Sequence, residues 1–103
     1  MAANLLDQAE IDEQLSSRHP DWRGSPENLQ RSIEFADFPT AVEFISRVAP
    51  RCEEMDHHPD LDLRWRRVDI ALATHSKGGV TELDVKLARI IDEVAGELPL
   101  AED

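Results

Sequence analysis

The sequence predicts an α+β fold: an antiparallel sheet of three to four strands, covered on one face by helices, in the order α-β-β-α-β-β-α. Three observations carry that reading. Apolar residues recur at three- and four-residue spacing in "AVEFISRVAPRC" and "LDVKLARIIDEV", as on one face of a helix. They alternate at period two in "LQRSIEF" and "RVDIALATH", as on one face of a strand. A Gly-Ser-Pro turn ahead of the first alternating stretch points to antiparallel pairing across it. The 103 residues form one domain, 1–103, able to bury roughly two thirds of the surface of the unfolded chain.

The first helix is expected from about Asp7 to Ser17. Asp7 is its N-cap and Glu10 reaches back in a capping box, with Leu6 and Ile11 at the two staple positions. A short strand at Trp22 and a strand from about Leu29 to Phe35 follow. Leu29, Ile33 and Phe35 share a face, which Arg31 interrupts. "FPTAVEFISRVAPRCEEMD" is a second helix, with Val42, Ile45, Val48/Ala49 and Cys52 as its buried stripe. Pro39 suits the first turn, and Pro50 kinks the helix by deleting one backbone bond. In "DLRWRRVDIALATH", Val68, Ile70 and Leu72 share one face, and Ala71, Ala73 and His75 the other. Leu63 and Trp65 have the opposite parity to Val68, so a bulge or two successive strands is expected near Arg66-Arg67. The third helix opens at Thr81 after a tight Gly78-Gly79 entry, buries Leu83, Leu87, Ile90 and Val94, and ends at Gly96 in the left-handed region. "ELPLAED" is a short acidic tail.

Composition excludes several classes of function. The formal charge is -11, from 22 acidic against 11 basic residues, and such a surface repels phosphate backbones. Direct nucleic-acid binding is therefore not expected. The N-terminus has neither a basic region nor an apolar run, so no secretory signal is read. No stretch approaches the roughly 18 apolar residues of a membrane span. Cys52 is the single cysteine, which leaves no internal disulfide and no paired-cysteine metal knuckle and suits a reducing, cytoplasmic setting. The run Arg64, Arg66, Arg67 is read as pairing with carboxylates of the protein itself or of another subunit. His19 is read as an exposed loop residue.

The stretch "EEMDHHPDL" stands apart from all this. Pro59 drives His58 to extended backbone, where neighbouring side chains point to opposite sides. His57 and His58 are thus expected to diverge and to line two walls of a groove. A zinc site would need both rings to converge with His75 and a carboxylate, so no metal is expected. His75 lies at the end of the long strand beside small Ala71 and Ala73, and Asp84 lies in the first turn of the last helix. Asp84 can also complete that helix's cap. Three imidazoles and a few carboxylates around one groove suit proton transfer near neutral pH.

This pattern resembles the pterin-4a-carbinolamine dehydratase family. It runs Glu53, three residues, His57-His58-Pro59, five residues, Trp65, nine residues, His75, eight residues, Asp84. "FADFPTAVEFISRVA" and "THSKGGVTELDVKLARIIDEVA" look like that family's strand-to-helix and closing segments. The resemblance implies a hydro-lyase that removes the 4a hydroxyl of a 4a-hydroxytetrahydropterin as water, together with the N5 proton, giving the quinonoid dihydropterin. No metal or organic cofactor is implied. Carried over by position, His57 and His75 are the proton-transfer pair and His58 binds and orients the pterin. Glu53, Asp56, Asp84 and Trp65 complete the site. Leu61 stands where many members carry an aromatic residue, and Leu83 where a basic residue often stands. The resemblance also implies a homo-oligomer, dimer or tetramer, coupled to an aromatic amino acid hydroxylase that supplies the substrate. The other class of function on the same fold is a non-catalytic interaction or assembly module.

Overall fold

The computed structural model describes residues 4–102. Helix α1 spans Gln8–Arg18, and β1 (Arg23–Gly24) and β2 (Leu29–Glu34) follow. Next come α2 (Phe38–Met55), β3 (Asp60–Arg64), β4 (Arg67–Leu72), a single 3₁₀ turn η1 (His75–Lys77) and α3 (Glu82–Ala95). The four strands form one antiparallel sheet in the order β1-β2-β4-β3. The α+β class and the element order match the sequence reading. No helix among the described residues is long and apolar enough to cross a membrane.

The strand alternation sets the layers. Leu29 and Ile33 of β2 and Val68, Ile70 and Leu72 of β4 point to the inner face, where they meet Phe44, Val48, Leu87, Ile91 and the rest of a single core. The opposite face carries Gln30, Ser32, Glu34, Arg67, Asp69, Asp60, Asp62 and Arg64, none of them buried, as suits an antiparallel sheet covered on one side. The parity slip before Val68 is a hairpin. Arg64 pairs with Arg67, leaving Trp65-Arg66 as a two-residue turn in which Trp65 takes φ 54°. Each arginine of this run meets a carboxylate of the same chain: Arg64 with Asp62, Arg66 with Glu34 and Arg67 with Asp69.

Helix ends follow their caps. Asp7 and Glu10 make the expected capping box, and Leu6 and Ile11 are both buried. At α2, Asp37 accepts from the Thr40 hydroxyl and the Thr40 N–H, which lowers its pKa. The stability from this cap is present above the ordinary value of 3.8 and is lost as pH falls through the lower folded value. Pro50 is held inside one continuous α2.

The buried stripe of α2 is Ala41, Phe44, Val48 and Cys52, whereas Val42 is 40 % exposed. Residues 41, 44, 48 and 52 fit the helical period as well as 42, 45, 49 and 52. The large ring of Phe44, 4.9 Å from that of Phe35, decides between them. In α3, Leu83 is only half-buried, and Asp84, Val85, Leu87, Ala88, Ile90, Ile91, Val94 and Ala95 are buried in its place. Gly96 is right-handed (φ -66°), since its N–H closes an ordinary bond to the Asp92 carbonyl. The acidic tail is docked rather than loose. Leu100 bridges Phe35, and the Ala36 and Ala101 N–H groups donate to Pro99 and Glu34. It covers the side of β2 that two-residue β1 leaves bare.

His19 is not an exposed loop residue; it is 5 % exposed. Its Nδ1–H donates to Asp92 of α3 at 2.8 Å, and the same carboxylate accepts from Trp22 Nε1 at 2.7 Å and Arg31 at 2.5 Å. One carboxylate thus joins the end of α1, the approach to β1, the middle of β2 and α3. It also explains how Arg31 can stand on the apolar face of its strand. Removing it strands several half-buried donors, each costing about 1–3 kcal/mol. Asp92→Ala should therefore lower the unfolding free energy by about 2–4 kcal/mol in urea denaturation, and Asp92→Asn by less.

The entry to α3 depends on a glycine for a different reason. A Cβ on Gly79 would stand 2.5 Å from the Pro26 carbonyl oxygen, which accepts the Val80 N–H. Gly79→Ala must push these backbones apart and should cost about 1–3 kcal/mol in the same experiment. Gly78 has φ 76° but open space around it, so Gly78→Ala should cost backbone strain only.

Candidate active site

The end of α2 decides which way the two adjacent histidines face. Asp56 adopts the left-handed conformation (φ 50°, ψ 44°) just past the helix. Its N–H returns to the Glu53 carbonyl, and the His57 N–H returns to that of Cys52. This paired return is the Schellman arrangement, which reverses the chain tightly. It turns His57 inward, to 8 % exposure, and leaves His58 outside. The Cys52 side chain beneath is buried, and burial followed by the Glu53 charge raises its thiol pKa, so it stays a small apolar residue.

Inside, the His57 Nε2 lies 2.6 Å from Oδ1 of Asp84, a residue with no exposed surface. Oδ2 of Asp84 accepts the Thr81 N–H at 2.9 Å and the Thr74 hydroxyl at 2.8 Å. Asp84 therefore caps α3, as expected, and also binds an imidazole. Because a carboxylate only accepts, Nε2 is the protonated nitrogen of the neutral His57 ring. Nδ1 is then the nitrogen free to take a proton.

His75 opens the 3₁₀ turn beyond β4 and is exposed. It lines a hollow of about 350 Å³ with Asp60, Ala71, Ala73, Gly79, Glu27 and Asn28. That is at the small end of the roughly 300–1,000 Å³ found for small-molecule sites. His58 faces elsewhere. Its Nε2 meets Glu53, and it lines an apolar hollow of about 320 Å³ with Ile45, Val48, Pro59 and Leu61. The two neighbouring rings do diverge, but the three imidazoles do not share one groove: His58 and His75 border different hollows, and the buried His57 lines neither. Trp65 is 68 % exposed at the far tip of the β3–β4 hairpin, with the Arg66 guanidinium 4.3 Å above its ring. The cavity borders Asp60 and Ala71, paired at the other end of that hairpin. Four residues of strand, about 13 Å, separate the two ends. Within one chain Trp65 does not reach this cavity. Asp56 is exposed at the bend that precedes the histidine pair.

The fold thus brings together His57 and Asp84, and separately Glu53 and His58. It adds residues that sequence reasoning did not select: Thr74 in the buried network, and Asp60, Glu27 and Asn28 around His75. Among the described residues, no three His, Cys, Asp or Glu side chains are grouped as a metal-holding set.

Comparison with known proteins places this geometry. A family model described as pterin 4 alpha carbinolamine dehydratase matches residues 4–94. A protein from Chloroflexus aurantiacus named "Putative pterin-4-alpha-carbinolamine dehydratase" is 47% identical over 91 residues, covering 88% of this chain and 97% of its own. A protein of the same name from Nocardia farcinica is 43% identical over 95 residues, covering 92% and 99%. A crystal structure from Brucella melitensis, described as a transcriptional coactivator/pterin dehydratase, superposes with a TM-score of 0.85 at 42% identity, covering 90% of this chain and all of that one. A pterin dehydratase-like protein identified as a RuBisCO assembly factor superposes with a TM-score of 0.60 at 25% identity, covering 73% and 87%. With 91 residues matched end to end and relatives near 45% identity, the chain belongs to the pterin 4 alpha carbinolamine dehydratase family.

Proposed function

We propose that the protein is a cytoplasmic hydro-lyase that converts a 4a-hydroxytetrahydropterin to the quinonoid dihydropterin by imidazole acid-base catalysis. The observation that carries this reading is the buried His57–Asp84 pair: an imidazole fixed by a carboxylate, in a chain of this family. In the reaction one group protonates the 4a hydroxyl, which leaves as water. A second takes the N5 proton, and the electron pair of the N5–H bond forms the N5=C4a double bond. His57 is the base in this scheme, because the Asp84 carboxylate stands against the ring that gains positive charge as Nδ1 takes the proton. His75, exposed at the cavity, delivers the proton to the departing hydroxyl. His58, Glu53, Asp56 and Trp65 act on the pterin ring as binding groups, and no cofactor takes part. His57, His58 and Trp65 do not line the His75 cavity, so on this reading the pterin site is completed by a second copy of the chain, in a dimer or tetramer. The substrate comes from an oxygenating enzyme such as an aromatic amino acid hydroxylase.

A second reading has its own support. Phe38 and Val42 of α2 are 49% and 40% exposed, the same helix lines the apolar hollow beside His58 further on, and one structural relative is described as an assembly factor. On this reading the protein is a non-catalytic module that docks partners through α2.

Turnover separates the two. The wild type should speed the loss of 4a-hydroxytetrahydropterin well beyond its decay in buffer, and His57→Ala and His75→Ala should each lower kcat by about 10²–10⁴ while keeping the native circular dichroism spectrum. Decay at the buffer rate with wild-type protein rejects the dehydratase. Asp56→Gly offers a further check, since glycine relieves the left-handed strain. It should raise stability by up to about 1 kcal/mol yet weaken pterin binding.

A further inference from the structure

We infer that Thr74 is a positioning residue that sets both proposed proton-transfer imidazoles at once, His57 through its side chain and His75 through its backbone. The kinetic part rests on the dehydratase reading; the structural part stands without it.

The side-chain argument follows the direction of each hydrogen bond. The Thr81 hydroxyl accepts the Leu83 N–H at 3.2 Å and lies 2.7 Å from the Thr74 hydroxyl. Thr74 Oγ1 in turn lies 2.8 Å from Asp84 Oδ2. The carboxylate cannot donate, so the Thr74 proton must point to it. Thr74 then has only lone pairs to offer Thr81, and the Thr81 proton must point to Thr74. Every member of the chain thereby has a fixed sense, from the Leu83 amide through two hydroxyls to Asp84, and the far oxygen of Asp84 receives the His57 Nε2–H. Thr81, Asp84, Thr74 and His57 are all buried, at 0, 0, 5 and 8 % exposure, so no solvent competes for these groups.

The backbone argument concerns the next residue. The Thr74 carbonyl accepts the N–H groups of Lys77 and Gly78, which closes the 3₁₀ turn that begins at His75. The Thr74 N–H donates to the Gly79 carbonyl at 2.8 Å, tying the base of the same turn. Thr74 is buried and its hydroxyl is taken up by Asp84 and Thr81, so it acts through these neighbours and not on a ligand. Valine would keep its shape and lose the hydroxyl, and serine would keep the hydroxyl.

The test compares Thr74→Val and Thr74→Ser by nitrogen-15 NMR of the histidine rings and by steady-state kinetics. In the wild type and in Thr74→Ser, the neutral His57 ring should show a protonated Nε2 and a bare Nδ1. In Thr74→Val the ring keeps that tautomer, because Asp84 still only accepts, but its Nε2–H and ring-nitrogen signals should move as Asp84 loses one of the donors that hold it in place. The kcat of Thr74→Val should fall about 10- to 100-fold, the worth of one hydrogen bond to a charged group, with KM within about twofold of wild type. Serine should restore most of kcat. Should valine prevent folding, Thr74→Ala carries the same expectations. A folded hydroxyl-free variant with wild-type His57 signals overturns the inference, and so does a serine variant as impaired as valine. If wild-type protein has no turnover, the dehydratase reading falls, and the ring-nitrogen signals still decide the role of Thr74.

Discussion

A carboxylate sealed from water must be met by donors, and Asp84 is met by three: an imidazole N–H, a hydroxyl and the backbone N–H that starts its own helix. Burying a lone carboxylate would cost several kcal/mol, so these contacts cannot be separated from the fold. They reach three parts of the chain: the bend after α2, the end of β4 and the first turn of α3. The relative placement of those parts is what forms the candidate site. The same group is thus a helix cap, a joint between elements and the partner of a proposed base.

Asp92 repeats the device about one turn beyond the middle of α3, where it gathers His19, Trp22 and Arg31. One acid near each end of α3 fixes that helix against the rest of the molecule. Both nodes leave a nitrogen over: at the Asp92 node, Arg31 Nε is buried without a hydrogen-bond partner among the described residues. Around Asp92 the donors come from indole, guanidinium and imidazole groups that the core encloses. Around Asp84 the imidazole keeps a second nitrogen without an assigned partner among the described residues.

Much of the fold was legible because it depends on local rules. Alternation marked Val68, Ile70 and Leu72 as inward-facing, the parity slip at Arg66-Arg67 marked a break between strands, and Thr81 announced the start of α3. The errors fell where two faces fit one period, as on α2, or where a partner lay far away in the chain. His19 looked like a loop residue because Asp92 is 73 positions distant. The same limit applies to the site. Glu53, His57, His58 and Asp84 stood out by type and spacing, and their pairing into two separate couples did not. Thr74 had a signal in its parity with Leu72, which directs it inward, yet a lone threonine says nothing of the carboxylate it will meet. Asp60, Glu27 and Asn28 reach the His75 cavity only through strand pairing and the turn before β2.

The account turns on Asp84 being a pure acceptor, since that alone fixes the tautomer of His57 and the sense of both hydroxyls. The carbon-13 shift of its side-chain carboxyl at pH 7, measured by NMR in the folded protein, tests this most directly. The account predicts the shift of an ionised carboxylate. The shift of a protonated acid would make Asp84 a donor to His57, reverse the ring's tautomer and contradict it.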